Sequence, residues 1–197
     1  PAPEDRAASA IALSEPWACV EDAYVSKERT TLKAGGQMLI VAEAEVPPGR
    51  LGNLLHRYGT PAKITWTSKL TPPTDLGIPV TVAKRVDDLA DATYDDVLYF
   101  GSSARTVETL FPKIATNGLL NLVLNGGRFG RPVVTMVGRV HYGGIRIIGT
   151  TGSNPAEPMK YIPKTGEIRH GDRVNVVGAG GPMGMMHVIR NVCQGIE

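Results

Sequence analysis

The sequence HGDRVNVVGAGGPMGMMHVIR, from His170 to Arg190, carries the most specific pattern in this chain. Gly171 and Asp172 predict a turn, and the apolar run from Val174 to Val177 predicts a short strand. A glycine-rich turn comes next, and apolar residues then follow at helical spacing. These residues are Met185, Met186, Val188, Ile189 and Val192. A strand, a glycine turn and a helix in this order are typical of the opening unit of a dinucleotide-binding domain.

The glycine-rich turn is the candidate cofactor site of the chain. Glycines let the backbone approach a pyrophosphate, and the helix N-terminus offers free N–H groups and a favourable dipole. The spacing departs from G-x-G-x-x-G because position 183 holds methionine. Either the motif begins at Ala179, or the turn is one residue longer, or it is a purely structural turn. The predicted cofactor-binding residues are Gly178, Ala179, Gly180, Gly181, Pro182, Met183 and Gly184.

Composition limits the classes of partner. The chain has 197 residues and is 42% hydrophobic, enough to bury the core of one α/β domain with attachments. The net charge is +2 and the basic residues are dispersed, so we expect no nucleic-acid partner. We expect no membrane partner either, because no apolar run reaches membrane-spanning length and there is no signal peptide. Two cysteines, Cys19 and Cys193, are compatible with a cytoplasmic protein. The chain starts at Pro1 and stops just after the last helix, as expected of a piece of a longer protein.

Strand and helix patterns alternate before this unit. The run Met38 to Ala42 is continuously apolar, which predicts a strand buried on both faces of a parallel sheet. The predicted strands are 37–44, 62–67, 79–83, 94–101, 119–124 and 145–149, with 133–137 as a short strand or helical turn. The predicted helices are 7–24, with a break near Ser14 to Pro16, one from Pro47 to Gly59, and 104–115, with a C-cap at Asn117-Gly118. The fold class is therefore α/β, a doubly wound, mostly parallel, Rossmann-like sheet of about six strands plus a surplus C-terminal strand–turn–helix unit.

Four stretches carry a resemblance to a known family. They are VNVVGAGGPMGMMHVIR (174–190), EPWACVEDAY (15–24), YDDVLYFGSS (94–103) and HYGGIRIIGTTGS (141–153). Together they resemble the cofactor-domain region of the medium-chain, often zinc-dependent, alcohol and polyol dehydrogenases. The resemblance implies that the intact protein transfers hydride between an alcohol or sugar alcohol and NAD or NADP. It also implies that zinc, if used, is held by a domain absent here. This fragment is therefore expected to be inactive, and to bind the cofactor weakly or not at all. The alternative is a non-catalytic Rossmann-like structural or oligomerisation domain.

The order of these stretches is reversed relative to that family, in which the glycine turn comes first. Circular permutation and tandem duplication both explain the reversal, and the sequence favours duplication. The expected organisation is a lead-in helix and linker at 1–36, a degenerate Rossmann-like domain at 37–163, and the opening unit of a second or permuted domain at 164–197.

The first domain lacks the usual signs of a cofactor site. Glu43 and Glu45 stand near the positions of the motif glycines, and a carboxylate beside a phosphate costs about 1 kcal/mol or more. No acidic residue ends the second strand, where Ser68 and Lys69 would instead suit a 2′-phosphate. We therefore interpret this domain as a scaffold.

Other residues have weaker claims to a function. Ser103 with Ser102 is interpreted as a helix N-cap in preference to a cofactor contact. Glu15 matches a carboxylate near zinc in some members of the family, but a surface or capping role is favoured. The residues that would line a surviving crevice are Gly101, Asn125, Gly126 and Gly127. The loop 149–153 resembles one that lies near the nicotinamide in the family, with an ordinary turn as the alternative. No metal-ligand spacing is found among the cysteines and histidines Cys19, His56, His141, His170 and Cys193. Core packing is the role predicted for the methionines Met183, Met185 and Met186.

Two partners are predicted. By resemblance, the first is a nicotinamide dinucleotide. The second is another copy of the chain, through an edge strand that contains Ile145, Ile147 and Ile148. A homodimer could also form by exchange of the strand Val174 to Val177.

Overall fold

The computed structural model describes residues 5–74 and 76–194. The chain forms two compact units. One unit, here called the sheet unit, comprises Arg29–Ile162. The other, the split unit, comprises Pro1–Glu28 together with Pro163–Glu197. The chain therefore leaves the split unit after Glu28 and returns to it at Pro163.

The sheet unit contains one six-stranded sheet, within the residues described. Its strands are β1 (Gln37–Ala42), β2 (Lys63–Ser68), β3 (Val80–Val82), β4 (Tyr94–Phe100), β5 (Ile114–Val123) and β6 (Arg146–Thr150). Every pairing is parallel, and the order is β3-β2-β1-β4-β5-β6. This order confirms the predicted doubly wound, Rossmann-like sheet. The direction of chain growth reverses between β1 and β4, which makes a topological switch point there.

The helices flank this sheet or belong to the split unit. In the split unit they are α1 (Ala8–Ala12), α2 (Ser14–Val25) and α6 (Pro182–Cys193), and in the sheet unit α3 (Pro48–Tyr58), α4 (Ala104–Leu110) and α5 (Val137–Tyr142). Short 3-10 turns span Phe111–Lys113 and Pro158–Tyr161. The interruption between α1 and α2 confirms the break predicted near Ser14.

Both faces of the sheet are covered by apolar side chains. On one face Met38 and Ile40 of β1 pack in the same core as Leu51 and Leu54 of α3. On the other face Leu39 of β1 shares a core with residues of α4, among them Val107 and Leu110. A strand buried on both sides cannot show polar alternation, which explains the continuous apolar run of β1.

Two predicted boundaries in the sheet unit are wrong. β5 begins at Ile114 and not at Leu119, and the helix before it ends at Leu110. Asn117, expected in a helix C-cap, lies inside β5 with a φ of 57°, close to an irregularity in its pairing with β4. Asparagine tolerates this left-handed backbone, so the same residue type suits a strand irregularity as well as a helix end.

The strand predicted at 174–177 does not form, and the segment 133–137, predicted as a short strand or a helical turn, forms no strand. Residues 133–136 have no regular structure and lead into α5. Residues 174–177 have no sheet partner within the described part of the chain, and Val177 is 90% exposed. A strand needs a neighbour for its backbone hydrogen bonds, and local apolar character does not supply one.

An ion pair anchors the start of the sheet unit. Asp96 in β4 is fully buried, and its carboxylate accepts hydrogen bonds from the Arg29 guanidinium and, at 2.8 Å, from the backbone N–H of Lys33. Arg29 also donates to the carbonyl oxygens of Asp95 and Asn117, each at 3.0 Å. Burial raises the pKa of Asp96, and the charge and hydrogen bonds of Arg29 oppose that rise. Arg29 thus joins the first residues of the sheet unit to β4 and β5.

We expect Arg29→Met to lower the free energy of unfolding of the sheet unit by about 3 kcal/mol, because it leaves a buried carboxylate without its cation. Urea unfolding followed by circular dichroism measures the change. The control is Arg85→Met, which removes an exposed pair with Asp87 and should leave the midpoint unchanged. Equal midpoints for both variants would contradict the anchoring role of Arg29.

Candidate functional site

The carboxyl ends of β1 and β4 form the edge at which open parallel sheets usually bind ligands. Here a protein carboxylate lies at this switch point. Glu43, which follows β1, accepts a hydrogen bond from the Tyr99 hydroxyl and another, of 2.6 Å, from the Thr106 hydroxyl. The backbone N–H of Ser103 donates to the Tyr99 oxygen at 2.8 Å. The loop after β1 is thereby bonded to the loop after β4 and to α4.

The backbone beside this network has no spare room. A methyl group on Gly101 would lie 2.6 Å from the Tyr99 hydroxyl oxygen and 3.0 Å from a carboxylate oxygen of Glu43. Burial, and then the hydrogen bond to Glu43, raise the pKa of Tyr99 above its ordinary value. Glu43 itself is exposed and directly follows the carboxyl end of β1.

Neighbouring loops at the same edge are bonded to one another. Asn125 donates from its side chain to the carbonyl oxygen of Glu45 at 3.2 Å, and from its backbone to Gly152 at 3.0 Å. Arg50 in the first turn of α3 donates to the hydroxyl of Ser153. These contacts tie the loops after β1, β5 and β6 together.

Both serine-containing motifs predicted at this edge are engaged with the backbone. The Ser103 hydroxyl accepts a 3.2 Å hydrogen bond from the N–H of Thr106, which confirms its role as the N-cap of α4. The Ser68 hydroxyl donates to the carbonyl of Ala42 at 2.7 Å and accepts from the N–H of Leu70 at 2.9 Å. Binding of a 2′-phosphate by Ser68 would require these bonds to break.

A shallow groove of about 330 Å³ lies along β5 and β6. Its lining is mainly apolar and consists of Leu122, Leu124, Phe129 and residues 147–151. Part of the loop 149–153, Gly149 to Thr151, lies in this groove.

The predicted glycine turn lies in the split unit, and two of its glycines are required by the turn itself. Gly178 has a φ of 81°, and its carbonyl oxygen accepts a 3.0 Å hydrogen bond from the N–H of Gly181. A methyl group on Gly184 would overlap that carbonyl oxygen and lie 2.8 Å from the Cα of Ala179. Gly184 is therefore needed for the first turn of α6 to pass the turn backbone.

The other two glycines have no such requirement. A methyl group on Gly180 would meet no atom within 4 Å, and one on Gly181 would meet only the Gly178 oxygen, at 3.5 Å. Gly181 has an ordinary φ of −90°, and Gly180 is not among the glycines with positive φ. No side chain caps α6, and its first turn carries no acidic residue. The backbone here is open, and no carboxylate among the described residues caps the helix.

A buried arginine, which the sequence analysis did not identify, holds α6 within the split unit. Arg190 is 3% exposed and donates to both carboxylate oxygens of Glu167, at 2.5 and 2.6 Å. It also donates to Glu21 of α2 at 3.2 Å, and its guanidinium carbon lies 4.1 Å from the ring centroid of Tyr24. The hydrogen bond with Glu167 raises the pKa of Arg190 and lowers that of Glu167.

The apolar face of α6 is only partly covered. Met183 is 43% exposed and Met185 is 48% exposed, so the prediction that these side chains pack in a core is wrong for both. Met186 is partly buried. Helical spacing correctly predicted an apolar stripe along α6. The described residues cover only part of this stripe.

The metal-binding candidates do not converge. In residues 5–74 and 76–194 no three side chains of His, Cys, Asp or Glu lie close enough to hold a metal ion. Glu15 is exposed and accepts a 3.3 Å hydrogen bond from the thiol of Cys19, one turn later in α2.

None of the described helices has the length and apolar character needed to cross a membrane.

No protein-family model and no curated protein matches this sequence. Solved structures of dehydrogenases do match. L-idonate 5-dehydrogenase from Escherichia coli K-12 is 17% identical, with 82% of this chain and 47% of that chain covered and a TM-score of 0.43. Benzyl alcohol dehydrogenase from Acinetobacter calcoaceticus is 13% identical, with 82% and 46% covered and a TM-score of 0.48. A candidate zinc-binding dehydrogenase from Sinorhizobium meliloti 1021, bound to NADP, is 17% identical, with 76% and 46% covered and a TM-score of 0.46.

This chain therefore spans less than half the length of each of these three structures. Likenesses this distant assign neither a family nor an activity to it.

We expect Gly101→Ala to destabilise the sheet unit, because the new methyl group displaces the Tyr99 hydroxyl. Tyr99→Leu removes that hydroxyl together with the ring carbon that carries it, which would lie 2.8 Å from the new methyl group, and should make Gly101→Ala better tolerated. Urea unfolding of the two single variants and the double variant should give a coupling energy of at least about 1 kcal/mol. Gly130→Ala, where a methyl group meets no atom within 4 Å, is the control. Additive effects would contradict the close packing of Tyr99 on Gly101.

Proposed function

We propose that this chain is part of the cofactor-domain region of a nicotinamide-dependent dehydrogenase of the medium-chain type. In this proposal, residues 178–184 bind the pyrophosphate of NAD or NADP. The intact protein transfers a hydride between an alcohol or sugar alcohol and that cofactor. The support is the sequence resemblance of four stretches together with the open backbone at Gly180 and Gly181.

The open glycines carry the proposal. Gly178 and Gly184 have structural reasons to be glycine, whereas Gly180 and Gly181 have none within the described residues. A close approach of a ligand to the backbone explains glycine where neither φ nor packing demands it. The uncapped start of α6 adds N–H groups and a dipole that favour a phosphate.

We propose that the sheet unit serves as a scaffold. Its switch point presents the carboxylate of Glu43, bonded to Tyr99 and Thr106, where a phosphate would have to bind. A dinucleotide there would face electrostatic repulsion and would have to break these hydrogen bonds. This observation favours the non-catalytic, structural interpretation for the sheet unit alone.

By resemblance, hydride transfer needs a substrate domain, with zinc in many members of the family, that is not part of this sequence. We therefore expect the 197-residue chain to bind cofactor without oxidising alcohols by itself. The thiols of Cys19 and Cys193 are free and exposed, which suits the reducing cytoplasm that we propose as its location.

The first test is a titration of the purified chain with NADH and with NADPH, followed by ligand fluorescence. We expect saturable but weak binding, because the chain carries only the opening unit of the proposed cofactor domain. Gly180→Ala and Gly181→Glu should weaken binding by at least about tenfold, since a side chain there obstructs a phosphate. Neither should change the melting temperature.

Two further results make this test decisive. Gly184→Ala should lower the stability of the split unit, because its methyl group overlaps the turn backbone. Glu43→Ala, in the sheet unit, should leave the affinity unchanged. An absence of binding at millimolar cofactor would refute the cofactor site and leave the alternative, a structural Rossmann-like domain.

We also propose that the chain forms a homodimer, through an edge strand or by strand exchange. β6 is at the edge of the sheet, and Ile147 is 41% exposed beside the apolar groove. Residues 174–177 offer a second, unpaired segment for exchange between chains.

A charge on the outer strand should separate these routes. Ile147→Lys places an ammonium group on the β6 edge and should shift a dimer to monomer, as measured by sedimentation equilibrium. Val174→Lys should have this effect only if strand exchange forms the dimer. A monomeric unmodified chain at concentrations of about 100 µM would exclude both routes, since stable dimers persist at that concentration.

A further inference from the structure

The two segments of the split unit meet where the chain leaves it and returns to it. The backbone N–H of Glu28 donates to the carbonyl oxygen of Lys164 at 2.8 Å, and Lys27 pairs with Thr165 in an isolated antiparallel bridge. Gly166 packs so tightly on Ala23 that a methyl group would overlap its carbonyl oxygen and lie 3.4 Å from the Cα of Tyr24. The chain thus returns beside the residues from which it departed.

Side chains continue this junction into the interior of the split unit. Arg190 of α6 bonds to Glu167 on its own segment and to Glu21 on the segment that precedes the sheet unit. Tyr24 of α2 lies under the guanidinium, and its hydroxyl is 2.9 Å from the Nδ1 of His187 in α6. Burial of a cation requires compensating partners, so Glu21 and Tyr24 are part of what allows Arg190 to be buried.

The sheet unit supplies its own core. Both clusters of buried apolar residues in it are formed entirely by residues between Leu32 and Ile162. All of its strand pairings also lie within this range. A unit with a complete sheet and two covered faces has what independent folding requires.

We propose that residues 29–162 are a domain inserted into the glycine-turn unit, and that Glu21 is a positioning residue for α6 through Arg190. This arrangement differs from both tandem duplication and circular permutation. In it the segment before the insertion belongs with the segment after it, and the two fold together. The positioning role rests on the proposed cofactor site, whereas the insertion does not.

The test is hydrogen exchange of the full chain, read by mass spectrometry, for Arg190→Met, Glu21→Ala and the control Glu15→Ala. Glu15 lies in the same helix as Glu21 and is exposed. We expect Arg190→Met to speed exchange by at least about tenfold in α2 and α6 together, with strands β1 to β6 changed less than about twofold. Glu21→Ala should act on both helices in the same direction, and Glu15→Ala on neither.

Faster exchange in α6 alone, equal acceleration throughout the chain, or no change would each overturn the insertion. If Arg190→Met fails to fold, Glu21→Ala alone decides between these outcomes. NADH titration of the same variants tests the positioning role: Glu21→Ala should weaken binding severalfold and Glu15→Ala should not. Should the unmodified chain bind no NADH, the proposed function fails while the exchange pattern still decides the insertion.

Discussion

The carboxylate of Glu43 accepts a hydrogen bond from the hydroxyl of Tyr99 at the switch point of the sheet, and this bond joins the loop after β1 to β4. All six strands of the described sheet are parallel, so their carboxyl ends and the loops that follow them share one edge. In an open sheet of this order the crevice at the switch point is the natural ligand site. Here the chain places its own anion there and bonds it to two hydroxyl groups. Gly101 is then needed because Tyr99 takes up the space beside it.

Glycine has different structural consequences at Gly101 in the sheet unit and at Gly180 in the split unit. At Gly101 the absence of a side chain accommodates a neighbouring protein group. At Gly180 the absence of a side chain leaves a surface that no described residue fills. The first arrangement packs one protein group against another, and the second leaves the turn backbone uncovered by the described residues. Resemblance to one family across both units therefore does not imply two working sites.

Much of the fold follows from the sequence because parallel strands buried on both faces stand out as apolar runs. β1, β2, β4 and β6 begin and end within two residues of their predicted limits. The start of β5 was misplaced because Asn117 and Gly118 are equally at home in a helix cap and a strand irregularity. The strand predicted at Val174 does not form for a different reason. A strand needs a neighbouring strand for its backbone hydrogen bonds, and the sequence of the segment itself does not show whether such a neighbour is present.

The candidate site was only partly predictable for the same reason. The glycine turn is local and was visible in the sequence. Arg190 was not, because an arginine on an amphipathic helix is usually solvated, and its burial depends on Glu21, far away along the chain. The role of Tyr99 was equally hidden, since a strand covered on both faces gives no sign of which side chain will meet Glu43.

The bridge between Lys27 and Thr165 has a consequence for the entropy of the chain. More than a hundred residues separate its two ends, and closing a flexible loop of that length costs about 4 kcal/mol. Leu32 and Ile162, near the two ends of the sheet unit, belong to one core cluster, so folding of the sheet unit replaces most of that flexible loop with fixed structure. The chain entropy lost on closing the loop is then lost when the sheet unit folds, and burial of the core of that unit offsets the loss. The order of events that minimises loss of chain freedom is therefore from the middle of the sequence outward, with the two termini joining last.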